Sequence, residues 1–327
     1  MRGDHEDELD ECDLDRTGRP ETLSSQTQPR LLFVTTKPGD LSVTALYTSQ
    51  VWVWGGLSHA HLFANQDAKR AFDATNAVLA PFRMFNYKLA PLRHSLLHRH
   101  TMIDHLLRES GDRNVIELAA GFSRPGAAAS SEAHVTYTEI DLPTVVTRKR
   151  ELLQRTAEGR AVLARPGLRL VEGDVETVAL EPFVRRGEPV FVIAEGLMMY
   201  LTADARRRLF TKVRRLAAIT GDLRFVFDLT PTNEETAPGI SARMVDAAMK
   251  RSTGGRSFER DAGTRDDIVT GLREAGFEDI EAVVPSDIAH AWNLPEPDRR
   301  TQVVLFVSNA SSHADEHHLA DGGRPAH

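Results

Sequence analysis

Cysteine is all but missing from the 327-residue chain: Cys12 stands alone. One thiol excludes an intrachain disulfide and any cluster of cysteine metal ligands, and suits a reducing compartment. Long apolar runs are also missing, and none approaches the ~20 residues that a membrane-crossing helix needs. The opening M-R-G-D-H-E-D-E-L-D-E is acidic, where a secretory leader is basic and then apolar. Positive charge is not in excess. Forty Lys and Arg against 47 Asp and Glu leave a net charge of −7, the wrong sign for a broad nucleic-acid footprint. No G-x-x-x-x-G-K-[ST] run occurs, which excludes a P-loop, and no repeat of 20–50 residues is visible. These absences imply a soluble, cytoplasmic protein with neither a membrane nor a nucleic acid as partner. What is present, 41% hydrophobic and 27% charged residues, is the composition of a chain that folds around a core.

Composition divides the chain into four. Residues 1–30 hold many acids and few apolar side chains, and 309–327 are similarly poor in apolar groups. Both are expected to be disordered tails, the first of them acidic. Residues 31–111 read as a helical cap. Leu41, Ala45, Leu46, Val51, Trp52 and Trp54 form an apolar stripe before Gly55-Gly56, a second helix spans Asp67–Leu79, and a third runs from Leu92 to Leu107 and closes at Gly111. From 112 to 308 strands alternate with helices. Strand-like runs fall at 114–118, 134–140, 168–171, 189–194, 224–229, 280–284 and 302–307, with helices expected at 125–133, 144–157, 176–184, 203–218, 240–251 and 264–275. That alternation implies a doubly wound α/β fold, its sheet mostly parallel, with the last two strands antiparallel because little room separates them.

In such a sheet ligands bind at the carboxyl ends of the strands, where strand order reverses. After the first strand comes E-L-A-A-G-F-S-R-P-G, residues 117–126, whose Ala119, Ala120 and Gly121 let a ligand approach the backbone. After the second comes E-I-D-L-P, with Glu139 20 positions beyond Ala119, where an acid commonly accepts hydrogen bonds from ribose hydroxyls. E-G-D-V (172–175) and A-E-G-L-M-M-Y-L (194–201) follow the third and fourth. A dinucleotide needs G-x-G-x-x-G for its pyrophosphate, and here the first glycine is Ala119 and Arg124-Pro125 displace the third. A ligand with adenine and ribose but no phosphate suits the pattern better, S-adenosylmethionine above all.

Taken in order, V-I-E-L-A-A-G-F-S-R-P-G, Y-T-E-I-D-L-P-T-V-V-T-R-K-R, E-G-D-V and A-E-G-L-M-M-Y-L resemble a class I S-adenosylmethionine-dependent methyltransferase. More narrowly the chain is similar to the leucine carboxyl methyltransferase family, including its bacterial natural-product O-methyltransferase branch. The resemblance spans roughly Leu41 to Val307 and implies a Rossmann-like methyltransferase sheet under an N-terminal helical cap. It implies that Glu117, Ala119 and Gly121 lie in the motif under the cofactor's methionine part, and that Glu139 holds the ribose, with Asp141 its nearby rival. Asp174 then meets the adenine amino group with Val175 packing beside it, and Glu195 faces the methionine end. The segment R-H-T-M-I-D resembles the family's R-T-R-x-x-D, whose arginine pairs with the cofactor's carboxylate; Arg99 takes that role. The family's aspartate shortly after the first motif is Ser123 here.

The resemblance implies an O-methyltransferase acting on a carboxyl or hydroxyl of a small-molecule acceptor, a secondary metabolite. The alternatives are methylation of a protein C-terminus and a non-catalytic scaffold that keeps the fold. Candidate catalytic residues are Glu195 and Tyr200. His59, His61 and His290 are possible bases that no motif places, and Asp228 ends the fifth strand. His94 and His98, four apart, lack a third ligand, so they read as a solvated helix face and no metal is expected. Tyr47, Trp52 and Trp54 suit either core or a lid, Met198 and Met199 suit packing, and Arg206–Arg208 reads as a charged surface.

Overall fold

The computed structural model describes residues 43–83, 91–232, 263–294, 297–298, 300–301 and 303–312. The expected tail 1–30, the helix expected at 240–251 and residues 313–327 lie outside the described residues.

Three helices precede the sheet: α1 (Val43–Trp54), α2 (Gln66–Arg83) and α3 (Leu92–Ser110). Tyr47 of α1 stacks on Phe72 of α2 with ring centroids 5.3 Å apart, which ties the first two together. Helix α3 stops at Gly111, whose φ of 66° is a left-handed conformation that a glycine adopts without a Cβ clash.

The seven expected strands all occur: β1 (Asn114–Leu118), β2 (Thr136–Asp141), β3 (Leu168–Glu172), β4 (Val190–Ala194), β5 (Asp222–Leu229), β6 (Glu278–Val283) and β7 (Val304–Ser311). They form one sheet in the order β3-β2-β1-β4-β5-β7-β6. The first five are parallel, and β7 runs antiparallel to both β5 and β6. The C-terminal tail expected from 309 begins later. Asn309, Ala310 and Ser311 pair with Arg224, Leu223 and Asp222, because the eight-residue β5 has a ladder to fill along its whole length. Their polar composition hid this, but only one face of that end is buried, through Ala310.

Helices α4 (Pro125–Ala129), α5 (Pro143–Gln154), α6 (Ala157–Leu163), α7 (Ala203–Arg214), α8 (Ala217–Thr220), α9 (Arg265–Glu274) and α10 (Pro285–Ile288) are the other described α-helices. Two expectations are corrected here. The helix expected at 144–157 ends at Gln154 and a new one starts after Thr156, whose hydroxyl accepts from the Gly159 N–H at 2.9 Å as an N-cap. Residues 176–184 hold no α-helix, only a 3-10 turn at Glu181–Phe183, since Pro182 removes a backbone donor.

Strand periodicity sorts the core into two layers. Ile116, Leu118, Val192, Phe225, Phe227 and Phe306 face α7 and α9. Val115, Tyr137, Phe191, Ile193, Val226 and Leu305 face α3 through Met102 and Ile103. The first layer is apolar throughout, with Phe227 stacked on Phe306 at 5.2 Å and on Phe210 at 5.3 Å. The second turns polar toward the carboxyl ends of the strands, where Glu117, Glu139 and Asp228 are buried.

Candidate active site

Strand order reverses between β1 and β4, so the crevice at their carboxyl ends is the place to look. The turn leaving β1 holds Ala119 at φ 54° and Gly121 at φ 52°. Ala119 carries a Cβ in a left-handed conformation, a strain of ~1–2 kcal/mol. At Gly121 an added Cβ would meet only the Ala45 methyl of α1, 3.7 Å away. The backbone there is bare, and its N–H donates to Asp141 Oδ2 at 2.6 Å.

The two acids of β2 have separate places, and Glu139, the acid expected to hold a ribose, is paired in the interior. Glu139 sits within the strand, in register with Glu117 of β1, and its side chain is buried against Lys149 of α5 in an ion pair. Burial pushes its carboxyl up and the Lys149 charge pulls it back. Asp141, two residues on, is the last residue of the strand and reaches the rim. It accepts from Gly121 and, at 2.7 Å through Oδ1, from the Leu142 N–H. Burial raises its pKa and those two N–H groups oppose the rise.

Glu117 is equally enclosed. Burial first, then the neighbouring Glu139, push it up to about 8, opposed by Lys149, Ser123 and Tyr137. Its Oε2 accepts from Ser123 Oγ at 2.9 Å and Tyr137 OH at 2.8 Å. Ser123 thus brings a donor to a place where an aspartate would add a third acid beside Glu117 and Glu139. The side chain of Glu117 belongs to this interior group, and what β1 presents at the crevice is the backbone after it.

Arg99 of α3 is the hinge of a second buried group. Its Nε donates to Glu195 Oε1 at 2.9 Å and its Nη1 to Asp228 Oδ2 at 2.9 Å. The guanidinium expected to await a cofactor carboxylate is therefore already forked between two internal ones, an arrangement its planar donors fit. Asp228 Oδ1 accepts from the Gly196 N–H at 2.5 Å. Glu195 Oε2 meets His100 Nδ1 at 2.8 Å. Burial would raise Glu195, but His100 and Arg99 outweigh it and hold the carboxyl down to about 2. The cluster gathers α3, the β4 exit and the end of β5 at the switch point.

Of the remaining expected residues, Asp174 is exposed, with Oδ1 accepting from the Glu176 N–H at 2.9 Å. Val175 packs against the apolar layer while its carbonyl accepts from Lys212 Nζ at 2.9 Å. Tyr200 OH donates to Thr44 Oγ1 of α1 at 3.1 Å, joining the β4 exit to the cap, and burial raises its pKa. Met198 and Met199 do belong to the core.

Helix α3 corrects another expectation. His94 and His98 are buried, not solvated, because this helix lies under α1 and on the sheet; His94 meets Trp54 edge-on at 4.9 Å. Arg206 is likewise buried, so only Arg207 and Arg208 of the basic run are surface. Tyr47 and Trp52 are core, whereas Trp54 is exposed under the Arg93 guanidinium. His61 and His290 form exposed pairs with Glu158 and Asp298. No group of three metal-ligating side chains occurs among the described residues. Nor is any helix among them long and apolar enough to cross a membrane.

His100, Lys149 and the ion pair of buried Arg124 with half-buried Asp104 were missed. His100 stands beside Arg99 in R-H-T-M-I-D, but only the fold aims it at Glu195. Lys149 is four residues past Val145 on the inner face of α5, a periodicity that marks the position as buried without naming its partner.

The strand order, the bare turn at Gly121 and the rim acid at Asp141 are the arrangement of class I methyltransferases, whose cofactor is S-adenosylmethionine. The residues fit that group: a backbone without side chain at Gly121, a carboxylate at the end of β2 and an exposed one after β3. The leucine carboxyl methyltransferase family model matches residues 58–214. An inferred S-adenosyl-L-methionine-dependent methyltransferase of Mycobacterium avium (strain 104) is 35% identical over 109 residues, 33% of this chain and 35% of that protein. Another from Mycobacterium marinum is 27% identical over 215 residues, 62% and 67% of the two chains. The chain thus spans about a third of the length of the first curated relatives it matches. A methyltransferase structure from Thermobifida fusca YX superimposes with a TM-score of 0.53 at 13% identity, covering 88% of this chain and all of that one, a likeness of fold.

Proposed function

We propose that the chain is an S-adenosylmethionine-dependent O-methyltransferase that methylates a carboxyl or hydroxyl oxygen of a small molecule, a secondary metabolite, in the cytoplasm. The observation that carries this reading is Asp141, held at the strand rim by the backbone of the small-residue turn while Glu139 is consumed by Lys149. The cofactor supplies a methyl carbon activated by its sulfonium. Asp141 is suited to accept the ribose hydroxyls and Asp174 the adenine amino group. Glu195 and Arg99, already bonded to each other, fix the shape and charge of the methionine end. Helix α1 excludes water there, through Ala45 against Gly121 and Thr44 against Tyr200. Holding acceptor and methyl group in line in such a dry site contributes ~7–11 kcal/mol by proximity alone.

Calorimetric titration with S-adenosylhomocysteine, with NADH and NADPH as controls, tests the cofactor. Micromolar binding of the adenosyl ligand alone supports the reading. A folded chain that binds none of the three is a scaffold. Turnover with peptide C-termini and not with small acids or phenols assigns protein methylation instead.

A further inference from the structure

Trp52 of α1 and His100 of α3 lie side by side in the buried layer, ring centroids 4.6 Å apart and planes 34° apart. Each carries a buried ring nitrogen with no hydrogen-bond partner among the described residues: Trp52 Nε1, which can only donate, and His100 Nε2. The state of Nε2 follows from the other side of the ring. His100 Nδ1 lies 2.8 Å from Glu195 Oε2, and an ionised carboxylate there requires a proton on Nδ1. Burial first, with Arg124 and Arg99 adding to it against the pull of Glu195, lowers the imidazole pKa, and no acceptor lies at Nε2 to hold a second proton there. The charged groups around it are Arg99 and Asp104 of its own helix, Arg124 after β1, Glu195 after β4, and Asp228 of β5 reached through Arg99. So Nε2 presents a bare lone pair next to an unused indole N–H.

An orphan acceptor beside an orphan donor is complemented by a hydroxyl, which gives its hydrogen to one and receives from the other. A carboxylate is not complementary, because its anionic oxygen would face the lone pair. We propose that His100 and Trp52 form the subsite for the acceptor, that the acceptor is a hydroxyl compound, and that His100 Nε2 is its general base. This rests on the methyltransferase reading above and narrows it from carboxyl or hydroxyl to hydroxyl.

In the reaction the acceptor oxygen forms a bond to the methyl carbon as the carbon–sulfur bond breaks. That electron pair stays on sulfur, turning the sulfonium into a thioether. The hydroxyl proton moves to His100 Nε2, and Glu195 stabilises the resulting imidazolium as the carboxylate orienting a base does. The proton leaves to solvent with the product.

The test uses the full chain with 4-nitrophenol and 4-nitrobenzoate as paired acceptors, S-adenosylmethionine as donor, and S-adenosylhomocysteine binding as a separate readout. His100→Gln keeps a donor for Glu195 but removes the basic nitrogen, and Trp52→Phe removes the indole N–H while keeping an aromatic ring, though a smaller one. The expected result is methylation of the phenol and not the benzoate, with a pH limb belonging to a neutral base. It further requires a loss of roughly 10²–10⁴-fold in kcat in His100→Gln with S-adenosylhomocysteine binding retained. Trp52→Phe should raise KM more than it lowers kcat. Equal turnover by His100→Gln, preferred methylation of the benzoate, or a folded, cofactor-binding wild type that turns over neither probe overturns the proposal. Wild-type chain that fails to bind S-adenosylhomocysteine overturns the methyltransferase reading, and the proposal falls with it.

Discussion

Glu139 and Asp141 are two residues apart on one strand, and the structure predicts that neutralising them gives opposite phenotypes. In Glu139→Gln the ammonium of Lys149, enclosed with its partner at 3% exposure each, loses its counter-charge. Breaking one side of a buried ion pair costs ~3–5 kcal/mol. The thermal midpoint should fall by on the order of 10 °C, while S-adenosylhomocysteine affinity, measured below the transition, stays within about twofold of the parent because the side chain does not reach the rim. Asp141→Asn should do the reverse. Its amide oxygen can still accept from Gly121 or Leu142 but not from both, so stability falls by only ~1–2 kcal/mol, whereas a ligand hydroxyl loses a charged acceptor and binding weakens by ~1–3 kcal/mol. Differential scanning calorimetry and titration calorimetry on the same preparations read both. Lost affinity in Glu139→Gln with an unchanged midpoint would falsify the assignment and restore Glu139 as the ribose acid.

Arg99→Met strands Glu195 and Asp228 without their shared cation and should cost ~3–5 kcal/mol near neutral pH; the gap to wild type should narrow as pH falls from 4.5 to about 2, the window in which wild-type Glu195 takes up its proton, and urea midpoints across pH would reveal a constant gap if the fork is unimportant. Glu117 holds a proton in the folded state up to about pH 8 but gives it up near 4.5 when unfolded, so its contribution is complete below 4.5 and lost as pH rises toward 8. Glu117→Gln, which keeps an acceptor for Ser123 and Tyr137, should flatten that slope, and an unchanged slope would assign the pH dependence elsewhere. Ala119→Gly relieves a left-handed alanine and should stabilise by about 0.5–1 kcal/mol after the entropy of the added glycine is counted, measurable as a higher unfolding midpoint.

Much was legible in the sequence for local reasons. The seven strands followed from short apolar runs bounded by turn residues. The parallel sheet followed from their alternation with helices, and the antiparallel end from the missing crossover before β7. Gly111 and Pro125 marked helix ends through backbone constraints that act within one turn. The crevice was legible too, because small residues at 119–121 and acids at strand ends are placed by strand geometry alone.

The roles of the charged side chains were decided only by the tertiary structure. Glu139 and Asp141 share a strand and a face. What separates them is Lys149, which arrives from another helix and neutralises the deeper of the two. Arg99 looked like an open cation until β4 and β5 each delivered a carboxylate to it, and His94 and His98 looked solvated until α1 covered α3. Backbone periodicity is a property of neighbours along the chain and can be read there. The protonation and pairing of a buried group depend on how many opposite charges and how little water surround it, and those come from segments as far apart as residues 99 and 228.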